Sequence, residues 1–400
     1  MALNIQKLLD AATAKIGVAA VDAADSARLA SLTDFLNNHR DTETFSSLAD
    51  LPTADSSNAG KIIRLAADSA GVYLDSGAVL YVSYRDQWKQ VTFTDSAVAQ
   101  TAPSSFTFQG SNFGYTSGGS PGPGTVQVNT IQKFSFTADG NATDVGDLTS
   151  NRVVAAGQSS SASGYSSGGQ ISTTRTNVIE KFPFATDANA TDVGDMTVAT
   201  VGPVGQSSSD NGYSSGGSPS PTVSNVIEKF PFASDANATD VGDLTEARFS
   251  ASGQSSPTDG YTSGGQGVSP SPYSNVIDKF PFASDANATD VGDLTQTIWR
   301  PTGQNSSTHG YRSGGRVLPI SNVIDKFPFA SDANATDVGD LTVAREYSAG
   351  QSSTVSGYTS GGGVPSERNT IDKFPFASDA NASDVGDLLT VLQQAAGQQY

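Results

Sequence analysis

The chain contains no cysteine, which excludes disulfide staples, thiolate catalysis and cysteine-based zinc sites. Histidine is nearly absent. Only His39 and His309 occur, in unrelated regions, and His309 replaces a loop residue in one copy of a repeat, as a surface position does. No apolar run approaches the roughly 18–20 residues of a membrane span. The opening MALNIQKLLDAATAKIGVAAV lacks a basic stretch followed by an unbroken apolar core, so it does not read as a signal peptide. An exterior location is therefore expected to be reached by assembly or lysis. Positive charge is also short: 22 Lys and Arg against 40 Asp and Glu leave −18. That balance disfavours a grip on nucleic acid or an anionic membrane, and favours solubility and divalent cations.

What the chain does have is glycine (41 residues) and a phrase of about 48 residues written six times. It runs GYxSGG, a variable stretch, N-x-I-[DEQ]-K-F-x-F, then D-x-N-A-[ST]-D-V-G-D-[LM], and a segment closing on G-Q. Its tyrosines are Tyr115, Tyr165, Tyr213, Tyr261, Tyr311 and Tyr358; its lysines are Lys133, Lys181, Lys229, Lys279, Lys326 and Lys373. In the third copy, strands are expected at Gly205-Gln206, at Tyr213 to Gly217, at Asn225 to Phe232 and at Val241 to Leu244. Alternation in the third of these is imperfect. Four short strands per repeat of this length predict a propeller blade, and six copies predict six blades. Both Phe106–Gly110 and Gly397-Gln398 offer a strand that closes the ring.

The order of elements resembles the kelch repeat. The pairs Gly118/Gly119, Gly168/Gly169, Gly216/Gly217, Gly264/Gly265, Gly314/Gly315 and Gly361/Gly362 match its diglycine. Glu180, Glu228, Asp278, Asp325 and Asp372 match its acidic position, where the first copy has Gln132. Arg152, Arg248, Arg300 and Arg345 are assigned to its linking position. The kelch tryptophan is missing, so the blade is a divergent one. The resemblance implies a mainly β fold over residues 105–400: a six-bladed kelch-like β-propeller preceded by a small α+β N-terminal region.

Within that region, 3–15 and 26–38 read as helices and form an expected anchor over residues 1–44. Residues 45–100 resemble a small β-rich module of tailed-phage fibres, through Leu51-Pro52, Asn58, Gly60-Lys61, Val72-Tyr73-Leu74 and Trp88. Together with the blades, this makes the chain similar to structural proteins of tailed phages, marine ones in particular. The resemblance implies a virion protein, tail fibre or tail-associated, held to other virion proteins through its N-terminal region and self-associating. A decoration or cement protein, and a cellular propeller adhesin or scaffold, are the alternatives.

Copies within one chain can be compared with each other. The stretches after Gly-Gly and after the fourth strand vary, and both are expected on one face of the disc. Function concentrates in such loops on a rigid scaffold. Phe249, Tyr273, Trp299, Arg300, Arg316 and Tyr347 are the candidates there for gripping host-surface glycan or protein, since aromatic and arginine side chains dominate binding energy. Unconstrained drift of the loops is the other reading. The repeated D-x-N-A-[ST]-D-V-G-D loop places oxygen groups at odd positions, with a spacing like that of calcium loops in integrin-type propellers. The ligand set expected on that reading is Asp139, Asn141 and Asp147; Asp187, Asn189 and Asp195; Asp235, Asn237 and Asp243; Asp285, Asn287 and Asp293; Asp332, Asn334 and Asp340; and Asp379, Asn381 and Asp387. Side-chain-capped turns are the competing reading of the same residues. Nothing in the sequence looks catalytic, and no enzyme activity is expected.

Overall fold

The computed structural model describes residues 109–122, 126–267, 272–363 and 366–400, together with the backbone of four short strands between 44 and 90. The chain divides into two units, 1–101 and 102–400. In the first, Thr44–Phe45 pairs parallel with Ile62–Leu65, which pairs antiparallel with Leu80–Tyr84, itself antiparallel to Gln87–Gln90. The expected helices at 3–15 and 26–38 lie outside the described residues.

The second unit is a six-bladed β-propeller, each blade a four-stranded antiparallel sheet. In blade 3 the strands, from hub to rim, are Val204–Ser207, Asn211–Ser215, Val226–Pro231 and Thr239–Asp243. Blades 2, 4, 5 and 6 repeat this order. Blade 1 takes its hub strand from the other end of the chain: Ala396–Gln399 pairs with Phe113–Ser117 and closes the ring. Of the two sequence candidates the C-terminal one is the closing strand. Gly110 instead forms a parallel bridge with Ser353, and Gln109 donates through its amide to the Asn305 carbonyl.

The imperfect alternation of the third strand has a simple cause. Its parity is regular, but both faces of a blade are buried. In blade 3, Ile227 faces blade 4, packed with Tyr213, Leu244 and Phe280. Glu228 and Phe230 face blade 2, where Phe230 packs on Tyr165. Two opposite walls of one sheet are thus both core, so apolar residues fall on both parities. A bulge lies between Ile227 and Glu228 in the pairing with the rim strand, where Gly242 faces Ile227 and Asp240 faces Glu228.

Each element of the repeated phrase ties one blade to the next. The Tyr of one blade lies on both phenylalanines of its neighbour's K-F-x-F: Tyr213 sits 5.5 Å from Phe280 and 4.8 Å from Phe282. The last pair closes the circle, with Tyr358 at 5.6 Å from Phe134 and 4.7 Å from Phe136. Aromatic pairs of this kind add about 0.5–1.5 kcal/mol beyond their burial. The Gln of each G-Q donates to the carbonyl of the next blade's Tyr, as Gln206 does to Tyr261 and Gln398 to Tyr165. The preceding glycine permits this approach: a Cβ on Gly205 would lie 2.2 Å from the Gly157 carbonyl oxygen, and the same holds around the hub. These strands leave a narrow central channel of about 130 Å³ lined by all six blades.

Candidate functional site: the variable face

The D-x-N-A-[ST]-D-V-G-D loop lies on the repeated side of the disc, and its oxygens reach the preceding blade. Lys181 of blade 2 pairs with Asp235 of blade 3, and the Asp195 amide donates to the Asn237 side chain at 3.0 Å. The same two contacts recur at Asp187, Asp285, Asp332, Asp379 and Asp139, and at Asn189, Asn287, Asn334, Asn381 and Asn141. Asp240 accepts from the Gly242 amide, a turn held by its own side chain. The last acid, Asp147, Asp195, Asp243, Asp293, Asp340 or Asp387, accepts through its backbone carbonyl from an alanine amide in the next blade's loop: Ala190, Ala238, Ala288, Ala335, Ala382 or Ala142. The loop is thus a clamp between blades. Among the described residues no three His, Cys, Asp or Glu side chains converge as a metal group.

The two variable stretches do share a face, because they pair with one another. Val153 bridges Gln170, Val201 bridges Ser218, Phe249 bridges Gln266, Trp299 bridges Arg316, Glu346 bridges Gly363, and Gln393 bridges Ser120. One residue beyond each linker partner, Val154, Gly202, Ser250, Arg300, Tyr347 and Gln394 all adopt left-handed backbone, with φ between 50° and 66°. Their amides form a closed cycle around the hub. Each donates to the carbonyl of its counterpart in the adjacent linker, at 2.8–3.3 Å, and the Val154 amide returns to Gln394. Side chains rarely tolerate this conformation, and a β-branched Val least of all, so the cycle holds five non-glycine residues in a costly state.

The structure brings all six sequence candidates together on blades 3 to 6. Tyr273 stacks on Trp299 at 5.8 Å and 14°, and Phe249 meets Trp299 edge-on at 6.3 Å. The Arg300 guanidinium lies 3.4 Å from the Trp299 ring centre and 3.9 Å from that of Tyr347. Such cation–π contacts are worth about 0.5–2 kcal/mol depending on desolvation. Burial lowers the Arg300 pKa against the opposing pull of Tyr347 and Glu346, and burial raises that of Tyr347.

Glu346 was not legible as a site residue. It is only 3% exposed and accepts from Arg300 at 3.3 Å and from Arg316 at 3.0 Å. Its counterparts in the other linkers are Val153, Val201, Phe249, Trp299 and Gln393, so no repeat pattern marks it.

Arg300 is not the linking arginine. The hub glycine stands ten positions after the last Asp of D-V-G-D in every copy, and Arg152, Arg248 and Arg345 stand five before that glycine. In the fourth linker this place belongs to Ile298, whose carbonyl accepts from Gly265 as Arg248's does from Gly217. Counting back from the glycine distinguishes them.

His309 sits beside Thr308, 2.9 Å from its hydroxyl, and burial lowers its pKa. No protein-family model and no curated protein sequence matches this chain. The class established by the fold is that of six-bladed β-propellers.

Proposed function

We propose that this chain is a non-enzymatic virion protein of a tailed phage, whose propeller binds glycan at the host surface through its variable face. Residues 1–100 would carry the attachment to the particle, in line with the resemblance of 45–100 to phage-fibre modules. We also place the blades with divergent kelch-like repeats, on the strength of their diglycines and of the buried pairing of Arg152, Arg248 and Arg345 with Glu180, Asp278 and Asp372.

The observation that carries the binding reading is the contrast between faces. One side repeats the same Lys–Asp and Asn–amide clamps six times. The other gathers Phe249, Tyr273, Trp299, Arg300, Arg316 and Tyr347, its only aromatic and arginine-rich concentration among the described residues, onto four adjacent blades. Loops left to drift have no physical reason to converge in stacked register, whereas binding anchors are enriched in Trp, Tyr and Arg.

The test is a glycan array probed with the full chain and with Trp299→Ala. Retention on a defined subset of glycans, weakened about tenfold or more by the substitution as expected for a binding anchor, supports the reading. Absence of retention on any glycan removes it.

A further inference from the structure

Within the cluster of Trp299, Arg300, Arg316 and Glu346, two buried donors are left without a partner. The indole Nε1 of Trp299 and the Nε of Arg300 are buried with no acceptor. Arg316 uses one terminal nitrogen on Glu346, while its side chain remains 38% exposed. The one carboxylate in the cluster, Glu346, is enclosed and already accepts from both arginines. Two guanidinium groups against one carboxylate leave a single positive charge, on a chain whose overall balance is −18. The exposed part of Arg316 is where a ligand can meet this surplus, and negatively charged acceptors are favoured there.

The shape of the cluster narrows the choice. Tyr273, Trp299, Arg300 and Tyr347 make successive stacked contacts and are all partly exposed, and Phe249 stands edge-on beside them. Flat aromatic and guanidinium surfaces suit the planar face of a sugar ring. A guanidinium fork such as that of Arg316 suits a planar carboxylate, which it can hold through two parallel hydrogen bonds.

We propose that this patch takes an acidic glycan, one whose sugar rings carry carboxylates, and that Arg316 receives the carboxylate. The proposal rests on the glycan-binding reading above and specifies its ligand class. Neutral sugars supply only hydroxyl acceptors and leave the surplus positive charge unmatched.

The experiment compares uronic-acid oligosaccharides with the same oligosaccharides after chemical reduction of their carboxyls, and with sulfated neutral counterparts. Each is probed with the full chain, Arg316→Gln and Arg316→Lys. The expected result is a preference for the uronic arm of about tenfold or more, the scale of a charge-assisted hydrogen bond. Arg316→Gln removes that preference, and Arg316→Lys restores part of it; salt weakens it. A thermal melt of each variant shows that the fold is kept. Equal binding to the reduced arm, with Arg316→Gln silent, overturns the acidic assignment and leaves glycan binding standing. Preference for the sulfated arm overturns the carboxylate assignment. Binding to no arm overturns both readings.

Discussion

Arg312 and Asp325 form a fully buried ion pair within blade 5, although the residue in that blade's linking position is Ile298. Elsewhere the second strand carries a small residue at this place: Thr116, Ser166, Ser214, Thr262 or Thr359. Blade 5 thus supplies its cation from the strand beside the acid, where blades 2, 4 and 6 supply it from the linker as Arg152, Arg248 and Arg345. Blade 1 solves the problem differently: its linker has Leu392, and its acid is replaced by Gln132, which accepts from the Leu389 amide. Removing the cation from blade 5 should be severe. Arg312→Thr is expected to cost about 3–5 kcal/mol, because Asp325 is left buried and uncompensated. Adding Asp325→Asn should recover most of the loss. Equilibrium unfolding of the four members of this double-mutant cycle measures both.

Blade 3 keeps the acid without the cation. Its linker has Thr200, and Glu228, 5% exposed, is bonded by the amide and hydroxyl of Thr197 alone. Burial raises the Glu228 pKa above the ordinary carboxylate value, with the Thr197 bonds opposing it. The folded state therefore binds the proton more readily than the unfolded chain. The stabilising protonation is fully present below the unfolded pKa and is lost as pH rises through the folded one. Glu228→Gln should then stabilise the protein at neutral pH by about 1–3 kcal/mol, the scale of a buried polar mismatch. Melting temperatures of the two proteins should converge as pH falls below the ordinary carboxylate range. A difference that stays constant with pH would rule out this account.

The hub glycines should tolerate no side chain. A Cβ on Gly303 would lie 2.2 Å from the Gly253 carbonyl, inside a ring that cannot widen at one blade alone. Gly303→Ala is expected to lose about 1–3 kcal/mol or more by overpacking. Gly122→Ala, with nothing within 4 Å, is the control and should be close to neutral. Denaturant midpoints of the pair decide it.

Deleting Ala396 to Tyr400 should open the ring. The deletion removes the hub strand of blade 1, the Gln398 bond to Tyr165 and the stacking of Tyr400 on Phe184. The strand Phe113–Ser117 becomes an unpaired edge, a template for association. The truncated protein is expected to melt lower than the full chain and to elute in size-exclusion chromatography with oligomers beyond those the full chain forms under the same conditions.

The Lys–Asp pairs on the repeated face should matter far less than the buried ones. Lys229 and Asp285 have side chains 26% and 58% exposed, so Lys229→Ala is expected to cost no more than about 1 kcal/mol. Chemical denaturation beside the Arg312 series makes the comparison direct.

Much of the architecture could be read from the repeats, because six copies of Tyr, Phe-x-Phe and Gln each serve the same contact between neighbouring blades. The convergence of Phe249, Tyr273, Trp299, Arg300, Arg316 and Tyr347 followed from placing both variable stretches on one face. What escaped was side-chain pairing that breaks the repeat. Arg300 looked like a linking arginine although it stands only three before the hub glycine Gly303, and the pairing of Arg312 with Asp325 had no mark in the repeat because strand register sets it. Glu346 had no counterpart of its own type in any copy. The closing strand was ambiguous for another reason: both ends of the chain carry similar short segments, and only tertiary pairing distinguishes them.

The amide cycle around the hub is built from main-chain atoms only, so it imposes one geometry whatever residue occupies each place. Valine, glycine, serine, arginine, tyrosine and glutamine already share it in Val154, Gly202, Ser250, Arg300, Tyr347 and Gln394. Chemical identity at these places can therefore vary with the main-chain cycle kept, at a strain that only glycine avoids. Side chains on this face can change one place at a time while the scaffold beneath them stays as it is.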